Sequence, residues 1–249
     1  MPKSMNAQPR KLDIYLLAGV ATAPNFMEEL RQALLHRLRS AGADVRAELL
    51  FPYGDWSRRL LPQLSEIRRD LVCREGRRRN SAGCEAATEA IRATYRGGGL
   101  AVIGHSGGGV AGVHAVRLLR SRQQGERMRP VDGMEGTEAP GWRVIQIGSP
   151  KCAVPDDMRD SVMYAYAAKP GGRSIDPVTR LGTWGGWERG DGGIPRWNPR
   201  RYAPGVIVPV RIRGGHPDYF RSREPYIDEE GASNLEKMLE LTVPWIERL

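Results

Sequence analysis

The sequence predicts an α/β fold, with a single domain over residues 1–249 and a mostly parallel β-sheet covered by helices on both faces. Its 249 residues, 40% of them hydrophobic, suit one domain with a sizeable core. Six short apolar runs alternate with helical patterns, and no linker or internal repeat divides them. Strands are predicted near residues 12–18, 45–51, 100–104, 143–148, 161–167 and 206–212.

The stretches between these strands carry apolar residues at helical spacing. A first helix is predicted over residues 26–41, with Asn25 and Glu28 as a capping box at its start. A second is predicted from an apolar stripe of Leu60, Leu64, Ile67 and Leu71. Alanines at positions 86, 90 and 93 indicate a third helix, and a helix capped by Ser233 closes the chain.

The most informative motif lies where the third predicted strand ends. Residues 104–108, Gly-His-Ser-Gly-Gly, match the pattern Gly-x-Ser-x-Gly. In this pattern the chain turns sharply from strand to helix and presents the serine at the carboxyl edge of the sheet. Small residues are needed at 104 and 108, because the neighbouring backbone would clash with larger side chains. The motif predicts Ser106 as a nucleophile.

A serine nucleophile needs a base, and the chain has four histidines. His36 and His114 lie in helical stretches, and His105 occupies the variable position of the turn, where its side chain is expected to point away from the nucleophile. His216 follows a β-rich run and two glycines, so it is expected beyond the carboxyl end of a strand. Catalytic groups collect at that edge in open α/β sheets. His216 is therefore the predicted base.

The third member of a triad is a carboxylate that orients the histidine and stabilises its charged form. In enzymes with this turn, the acid lies between the serine and the histidine in the chain. The candidates by order are Asp132, Asp156, Asp157, Asp160, Asp176 and Asp191. Asp176 is best placed, because it follows the predicted strand at 161–167. Asp156 and Asp157, which follow an earlier strand, remain the alternatives.

Taken together, these motifs resemble those of the α/β-hydrolase superfamily, and in particular lipase-like members related to the fungal class 3 lipases. Residues 104–109, Gly-His-Ser-Gly-Gly-Gly, resemble the serine turn of that family. Residues 147–150, 175–178 and 215–216 resemble its Phe-Gly-Ser-Pro strand end, its acid-bearing turn and its terminal histidine. The resemblance implies an ester hydrolase with Ser106 as nucleophile, Asp176 as acid and His216 as base.

The chain departs from the family pattern in three places. Gly107 stands where an aliphatic residue is usual, Asp176 is followed by Pro-Val, and no lid segment follows the first strand. The expected substrates are therefore soluble carboxylic esters, with no activation at a lipid interface.

Acyl transfer also needs two backbone N–H groups directed at the oxyanion of the intermediate. The first comes from the residue after the nucleophile, which is Gly107. The second comes from a loop after an early strand, and the small-residue turn at 18–22 follows the first predicted strand. Val20 is the predicted second donor, with Ala21 next.

Residues 179–204 form the least regular stretch and lie between the predicted acid and base. Long loops inside compact domains are commonly functional. We interpret this stretch as a cap whose Trp184, Trp187 and Trp197 line an apolar substrate pocket. The alternative, that these rings only hold the loop against the core, is weighted equally.

The chain carries a net charge of +9, with a cluster of arginines between Arg68 and Arg79. A solvated helix end explains such a cluster, and nucleic-acid binding is not expected. An anionic substrate or membrane surface is compatible with it. The alternative to an enzyme is an interaction protein that binds an anionic partner through its basic face.

The cysteines and the N-terminal segment bear on the cellular compartment. Three cysteines at no metal-like spacing fit reduced thiols in the cytoplasm. The apolar run at 14–20 is too short for a secretory signal, and no stretch approaches the ~20 apolar residues of a membrane span. No cofactor and no metal is expected, and the oligomeric state is left open.

Overall fold

The structure is a computed structural model and describes residues 9–54, 57–72, 82–127 and 141–249. Side chains at 60, 72, 82, 123–127 and 191 lie outside this description. The strands are β1 (Lys11–Leu17), β2 (Asp44–Leu50), β3 (Gly99–His105), β4 (Trp142–Ile147), β5 (Val162–Ala167), β6 (Gly186–Arg189), β7 (Pro195–Asn198) and β8 (Val206–Val210). The helices are α1 (Glu28–Ser40), α2 (Leu60–Val72), α3 (Ala82–Thr94), α4 (Gly107–Arg127) and α5 (Asn234–Ile246).

Six strands form one parallel sheet in the order β2-β1-β3-β4-β5-β8. This confirms the predicted α/β class and the six predicted strands. Alternate residues of each strand face opposite sides of the sheet. In β1, Leu12, Ile14 and Leu16 pack with α1 and α5, whereas Tyr15 and Leu17 pack with α2, α3 and α4. The helices therefore cover both faces of the sheet.

The strand order reverses between β1 and β3. From β1 the chain moves outward to β2, and from β3 it moves in the opposite direction to β4, β5 and β8. Such a reversal opens a crevice at the carboxyl ends of the two central strands. The turn at 18–21 follows β1 and Ser106 follows β3, so both border this crevice.

The second predicted helix is confirmed as α2. Ile67 of its apolar stripe is buried, and Leu71 packs against the same core cluster. Leu64 is nevertheless 46% exposed, and the polar Gln63 and Asp70 are also buried.

One prediction about helices is wrong. At the start of α1 no side chain caps the helix, so the capping box of Asn25 and Glu28 does not form. By contrast, the cap predicted at Ser233 is confirmed, because its Oγ accepts a hydrogen bond from the N–H of Glu236 at 3.1 Å.

The cap-like segment at 179–204 is more regular than predicted. It contains a two-stranded antiparallel sheet of β6 and β7. The N–H of Lys151 donates to the carbonyl of Leu181 at 2.8 Å, and that of Val154 donates to the carbonyl of Tyr202 at 3.0 Å. Both bonds attach the segment to the loop after β4, at the carboxyl edge of the main sheet.

Cys84 and Cys152 are buried free thiols, and Cys73 lies outside the described residues. Within the described part of the chain, no helix is long and apolar enough to cross a membrane. Arg68 and Arg69 are exposed on α2, whereas the remaining arginines of the predicted basic cluster lie outside the described residues.

Candidate active site

Ser106 occupies a sharp turn between β3 and α4. Its φ of 54° lies in the left-handed region, which residues other than glycine rarely adopt. A Cβ at Gly104 would lie 2.3 Å from the backbone nitrogen of Gly109, and one at Gly108 would lie 2.0 Å from the carbonyl oxygen of Leu17. Both positions therefore need glycine for the turn to close. This confirms the predicted need for small residues two before and two after the serine.

Asp176 is fully buried and accepts three hydrogen bonds. Nδ1 of His216 lies 2.8 Å from its Oδ2, the hydroxyl of Tyr219 donates to the same oxygen at 2.9 Å, and the N–H of Val178 donates to Oδ1 at 2.9 Å. Burial by itself raises the pKa of the Asp176 carboxyl, but the bonds from His216, Tyr219 and Val178 lower this pKa below its usual value. Asp176 is therefore ionised at neutral pH.

We call the side chains of Asp176, His216 and Tyr219 the acid–base region, and two of them, Asp176 and Tyr219, pack on Gly148. With a φ of 57°, Gly148 lies where a Cβ would come 2.9 Å from Asp176 Oδ2 and 2.6 Å from the Tyr219 ring. The Tyr219 hydroxyl also accepts a bond from the N–H of Ala167 at 2.8 Å. Tyr219 thus ties the carboxylate to the end of β5. No local pattern in the sequence indicates a role for Tyr219, and its position shortly after His216 is the only signal there.

His105 connects the serine turn to the acid–base region. It precedes Ser106, and its ring centroid lies 4.6 Å from that of His216. Its Nε2 lies 3.0 Å from the carbonyl oxygen of His216, which can only accept, so Nε2 carries the proton. Burial, followed by the nearby His216, lowers the pKa of His105 to about 3. His105 is therefore neutral at physiological pH, and it supports the His216 backbone through this hydrogen bond.

The structure brings Asp176 and His216 into direct contact, and it places His216 next to the residue preceding Ser106. No hydrogen bond joins Ser106 to His216 within the described residues. Catalytic hydrogen bonds are often long without substrate and shorten in the reacting complex. The alternative acids face elsewhere, because Asp156 pairs with Arg201 at 2.8 Å and Asp157 with Arg120 at 2.7 Å, all near the surface.

The turn after β1 packs directly against the serine. A Cβ at Gly19 would lie 2.7 Å from Cβ of Ser106 and 3.1 Å from its Oγ. The N–H of Ala21 is already bonded to Oε1 of Gln63 at 2.9 Å. The Val20 N–H forms no hydrogen bond within the described part of the chain. Of the two candidates for the second oxyanion donor, Val20 and Ala21, Val20 is therefore the one whose N–H is available.

Gly107, the other predicted oxyanion donor, begins α4. The first N–H groups of a helix have no partner within the helix, so this N–H can serve a ligand. A Cβ on Gly107 would lie 2.3 Å from Cδ1 of Ile67 in α2. Helix α2 therefore occupies the space that an aliphatic side chain at 107 would need, which explains the departure from the family pattern.

The three tryptophans occupy two different environments. Trp184 is partly buried, with its ring edge-on to Tyr164 at 4.9 Å and the ammonium of Lys151 5.1 Å from its ring. Trp187 and Trp197 are 65% and 43% exposed, and their ring centroids lie 5.6 Å apart. Trp184 thus holds the segment against the core, and the other two face solvent. The prediction that these rings line a substrate pocket stays a prediction.

The two remaining histidines do not contact this site. His36 is exposed on α1. His114 is buried in α4 with Nε2 3.1 Å from the carbonyl oxygen of Asp70, and burial lowers its pKa to about 4. Among the described residues, no group of three or more His, Cys, Asp or Glu side chains could hold a metal ion.

A scan against models of protein families found no family that matches this chain, and a search of curated proteins found no significantly similar relative.

Proposed function

We propose that the protein is a serine hydrolase with an α/β-hydrolase fold that cleaves carboxylic esters through an acyl-enzyme. One observation carries this proposal. A serine on a strained left-handed turn lies at the reversal point of a parallel sheet, and a histidine hydrogen-bonded to a buried carboxylate packs beside that turn. Its resemblance to lipase-like hydrolases supports the same reading of Ser106, Asp176 and His216.

In the proposed mechanism His216 acts as the base. Its Nδ1–H donates to Asp176, so Nε2 is unprotonated and can accept the Ser106 proton. Ser106 Oγ then attacks the ester carbonyl carbon, and Asp176 stabilises the imidazolium that forms. The proton passes from His216 to the departing alcohol oxygen as the acyl-enzyme forms. Water, activated by His216, releases the acid and restores Ser106.

The oxyanion of each tetrahedral intermediate would bind the N–H groups of Gly107 and Val20. Ser106 directly precedes α4, a helix of 21 residues, so the positive end of its dipole faces the developing negative charge. Removing one such donor from an enzyme of this kind costs about 10²–10³ in kcat.

The proposed substrates are carboxylic esters, which the serine, histidine and aspartate can cleave by this mechanism. We expect soluble esters with short to medium acyl chains, and the mechanism uses no cofactor because the serine, histidine and aspartate supply all the groups required. We keep the cytoplasm as the proposed compartment, which the free thiols of Cys84 and Cys152 support.

The deciding experiment is labelling with a fluorophosphonate, which reacts covalently only with an activated serine. The wild-type chain should be labelled and should hydrolyse a nitrophenyl ester. Ser106→Ala should lose both activities while keeping its fold, whereas Ser121→Ala, an exposed serine on α4, should keep both. A folded wild-type protein without labelling would favour the non-catalytic interaction protein.

A further inference from the structure

The segment of β6, β7 and the turn between them, residues 186–198, exposes an aromatic and cationic face that the ester mechanism does not use. We call it the tryptophan hairpin. Its register pairs Trp187 with Trp197 and Arg189 with Pro195. Because alternate residues of a strand share a face, these four side chains lie on one side of the hairpin.

The opposite side faces the protein. A Cβ at Gly186 would lie 2.4 Å from the Tyr202 ring, so this glycine packs directly on Tyr202. Asn198 Nδ2 donates to Glu188 across the two strands at 2.9 Å. The inward side of the hairpin thus packs on Tyr202 and pairs its own polar side chains. Trp187 and Trp197 lie on the other side, away from the core.

The turn of the hairpin adds a third exposed apolar side chain. Ile194 is 71% exposed and follows Gly192 and Gly193, both with φ near 80°. Trp187, Trp197 and Ile194 together expose roughly 400 Å² of side-chain surface, given the size of such residues. Clusters of this kind on a soluble domain mark interaction sites more often than isolated apolar residues do.

Unpaired positive charge lies on and next to this apolar surface. Arg189, on the same side of the hairpin as the tryptophans, and Arg200, just after β7, are exposed and form no ion pair within the described residues. Arg196 lies opposite Glu188 on the other side of the hairpin. Arginines elsewhere in the chain, such as Arg120 and Arg201, are paired with aspartates. This part of the chain therefore offers two unpaired cations to an anionic partner.

We propose that the tryptophan hairpin docks on the surface of an anionic phospholipid bilayer. Tryptophan is favoured at the membrane–water interface, and each arginine near an anionic leaflet adds about 1 kcal/mol of attraction. The exposed apolar area is about half of the ~800 Å² that each partner buries in a stable protein complex. Shallow insertion into a bilayer interface has no such minimum. This surface is independent of the ester mechanism.

The geometry of the ring pair argues against single-stranded nucleic acid. Trp187 and Trp197 meet at an interplanar angle of 76°, with the edge of one ring on the face of the other. Successive bases need exposed faces on which to stack. The aliphatic Ile194 at the turn would add nothing to such stacking, whereas it can enter the acyl boundary of a bilayer.

Flotation of the purified full-length chain with vesicles tests this proposal. Vesicles of phosphatidylcholine mixed with phosphatidylglycerol should carry the protein upward, vesicles of phosphatidylcholine alone should not, and added salt should weaken the binding. Trp187→Ala/Trp197→Ala should reduce the bound fraction about tenfold, because the apolar insertion is lost. Arg189→Gln/Arg200→Gln should reduce it about tenfold as well.

Two control variants match these changes elsewhere on the surface. Leu61→Ala/Leu64→Ala removes apolar side chains that are 80% and 46% exposed on α2. Arg68→Gln/Arg69→Gln removes two exposed charges from the same helix. Both should bind vesicles as the wild-type does. Equal losses in the controls, equal binding to neutral vesicles, or tighter Trp-dependent binding to a single-stranded oligonucleotide would overturn the proposal.

Discussion

The acid–base region and the tryptophan hairpin differ in how their side chains are held. Asp176 and the hairpin lie on the same connection between β5 and β8. Asp176 is fully buried and accepts three hydrogen bonds, whereas Trp187 and Trp197 are 65% and 43% exposed and contact each other, with the Trp197 ring also packed on Gly185. The first arrangement fixes one geometry, as the proposed proton transfer requires, and the second leaves a surface exposed. Burial and hydrogen bonding thus distinguish the two regions, although both belong to the same connection.

The largest effect that follows from this comparison concerns His216. His216→Ala should lower kcat about 10⁶-fold, as removal of a triad histidine does. In the wild-type protein kcat/KM should show an acid limb, because a protonated imidazole cannot accept the serine proton. A pH series of initial rates measures this limb.

His105→Phe is the control for that profile. Because the pKa of His105 is lowered to about 3, mainly by burial, this residue does not titrate between pH 5 and 8. The limb should stay in place in the variant, while loss of the bond to the His216 carbonyl lowers the rate several-fold. A flat wild-type profile would contradict a histidine base.

A second change tests whether Asp176 is the acid. Asp176→Asn should lower kcat by about 10⁴, because an amide can neither orient the neutral imidazole correctly nor stabilise the imidazolium. Asp156→Asn and Asp157→Asn should behave as the wild-type, since both carboxylates pair with surface arginines. If Asp176→Asn kept a near-normal kcat and Asp156→Asn or Asp157→Asn lost it, the acid would be one of those two residues in the loop after β4.

A smaller effect is expected at Tyr219, which we regard as a positioning residue. Tyr219→Phe removes a hydrogen bond to Asp176 and should lower kcat/KM about tenfold. A carboxylate whose pKa is lowered by folding stabilises the protein above its unfolded pKa, and this contribution is lost as the pH falls. In the variant the pKa of Asp176 moves up, so acid unfolding should begin at a higher pH.

Circular dichroism during acid titration measures that shift. Tyr226→Phe is the matched control, because Tyr226 lies in the loop after Tyr219 and its ring contacts Arg221. Its acid unfolding and its rate should equal those of the wild-type. If Tyr219→Phe unfolded in acid as the wild-type does, Tyr219 would not support the Asp176 charge.

The smallest effect is expected in the hairpin. Trp187→Ala/Trp197→Ala should leave the ratio of kcat/KM between short and medium nitrophenyl esters unchanged, because both rings face solvent. Trp184→Ala should instead lower the free energy of unfolding by about 2 kcal/mol, since this ring packs on Tyr164. A changed chain-length preference in the double variant would support the interpretation of these rings as pocket walls.

Much of the architecture could be predicted because its signals are local. The six strands of the main sheet match their predicted positions within a few residues, since apolar runs between glycines leave little choice of structure. The serine turn was predictable for the same reason. Gly104 and Gly108 are required by backbone atoms only a few residues away or in the adjacent strand.

Other features depend on contacts between distant parts of the chain. The apolar stripe of α2 did not indicate that the polar Gln63 and Asp70 are buried. Oε1 of Gln63 accepts a hydrogen bond from the N–H of Ala21, and Asp70 accepts one from Tyr53 at 2.7 Å. Polar residues can be buried when such partners exist, and a hydrophobic pattern cannot indicate those partners. The short strands β6 and β7 were interpreted as loop, because their glycines and exposed tryptophans lack a core-facing pattern.

The sequence by itself determined the fold class, the serine turn and a short set of candidate acids and bases. Spacing and sterics along a few residues suffice for these features. Only the tertiary structure decided that Asp176 and not Asp156 or Asp157 contacts His216, that Tyr219 and His105 support this pair, and that two tryptophans face outward. Each of these outcomes depends on which distant residues come into contact when the sheet assembles. Local propensity does not indicate such long-range contacts.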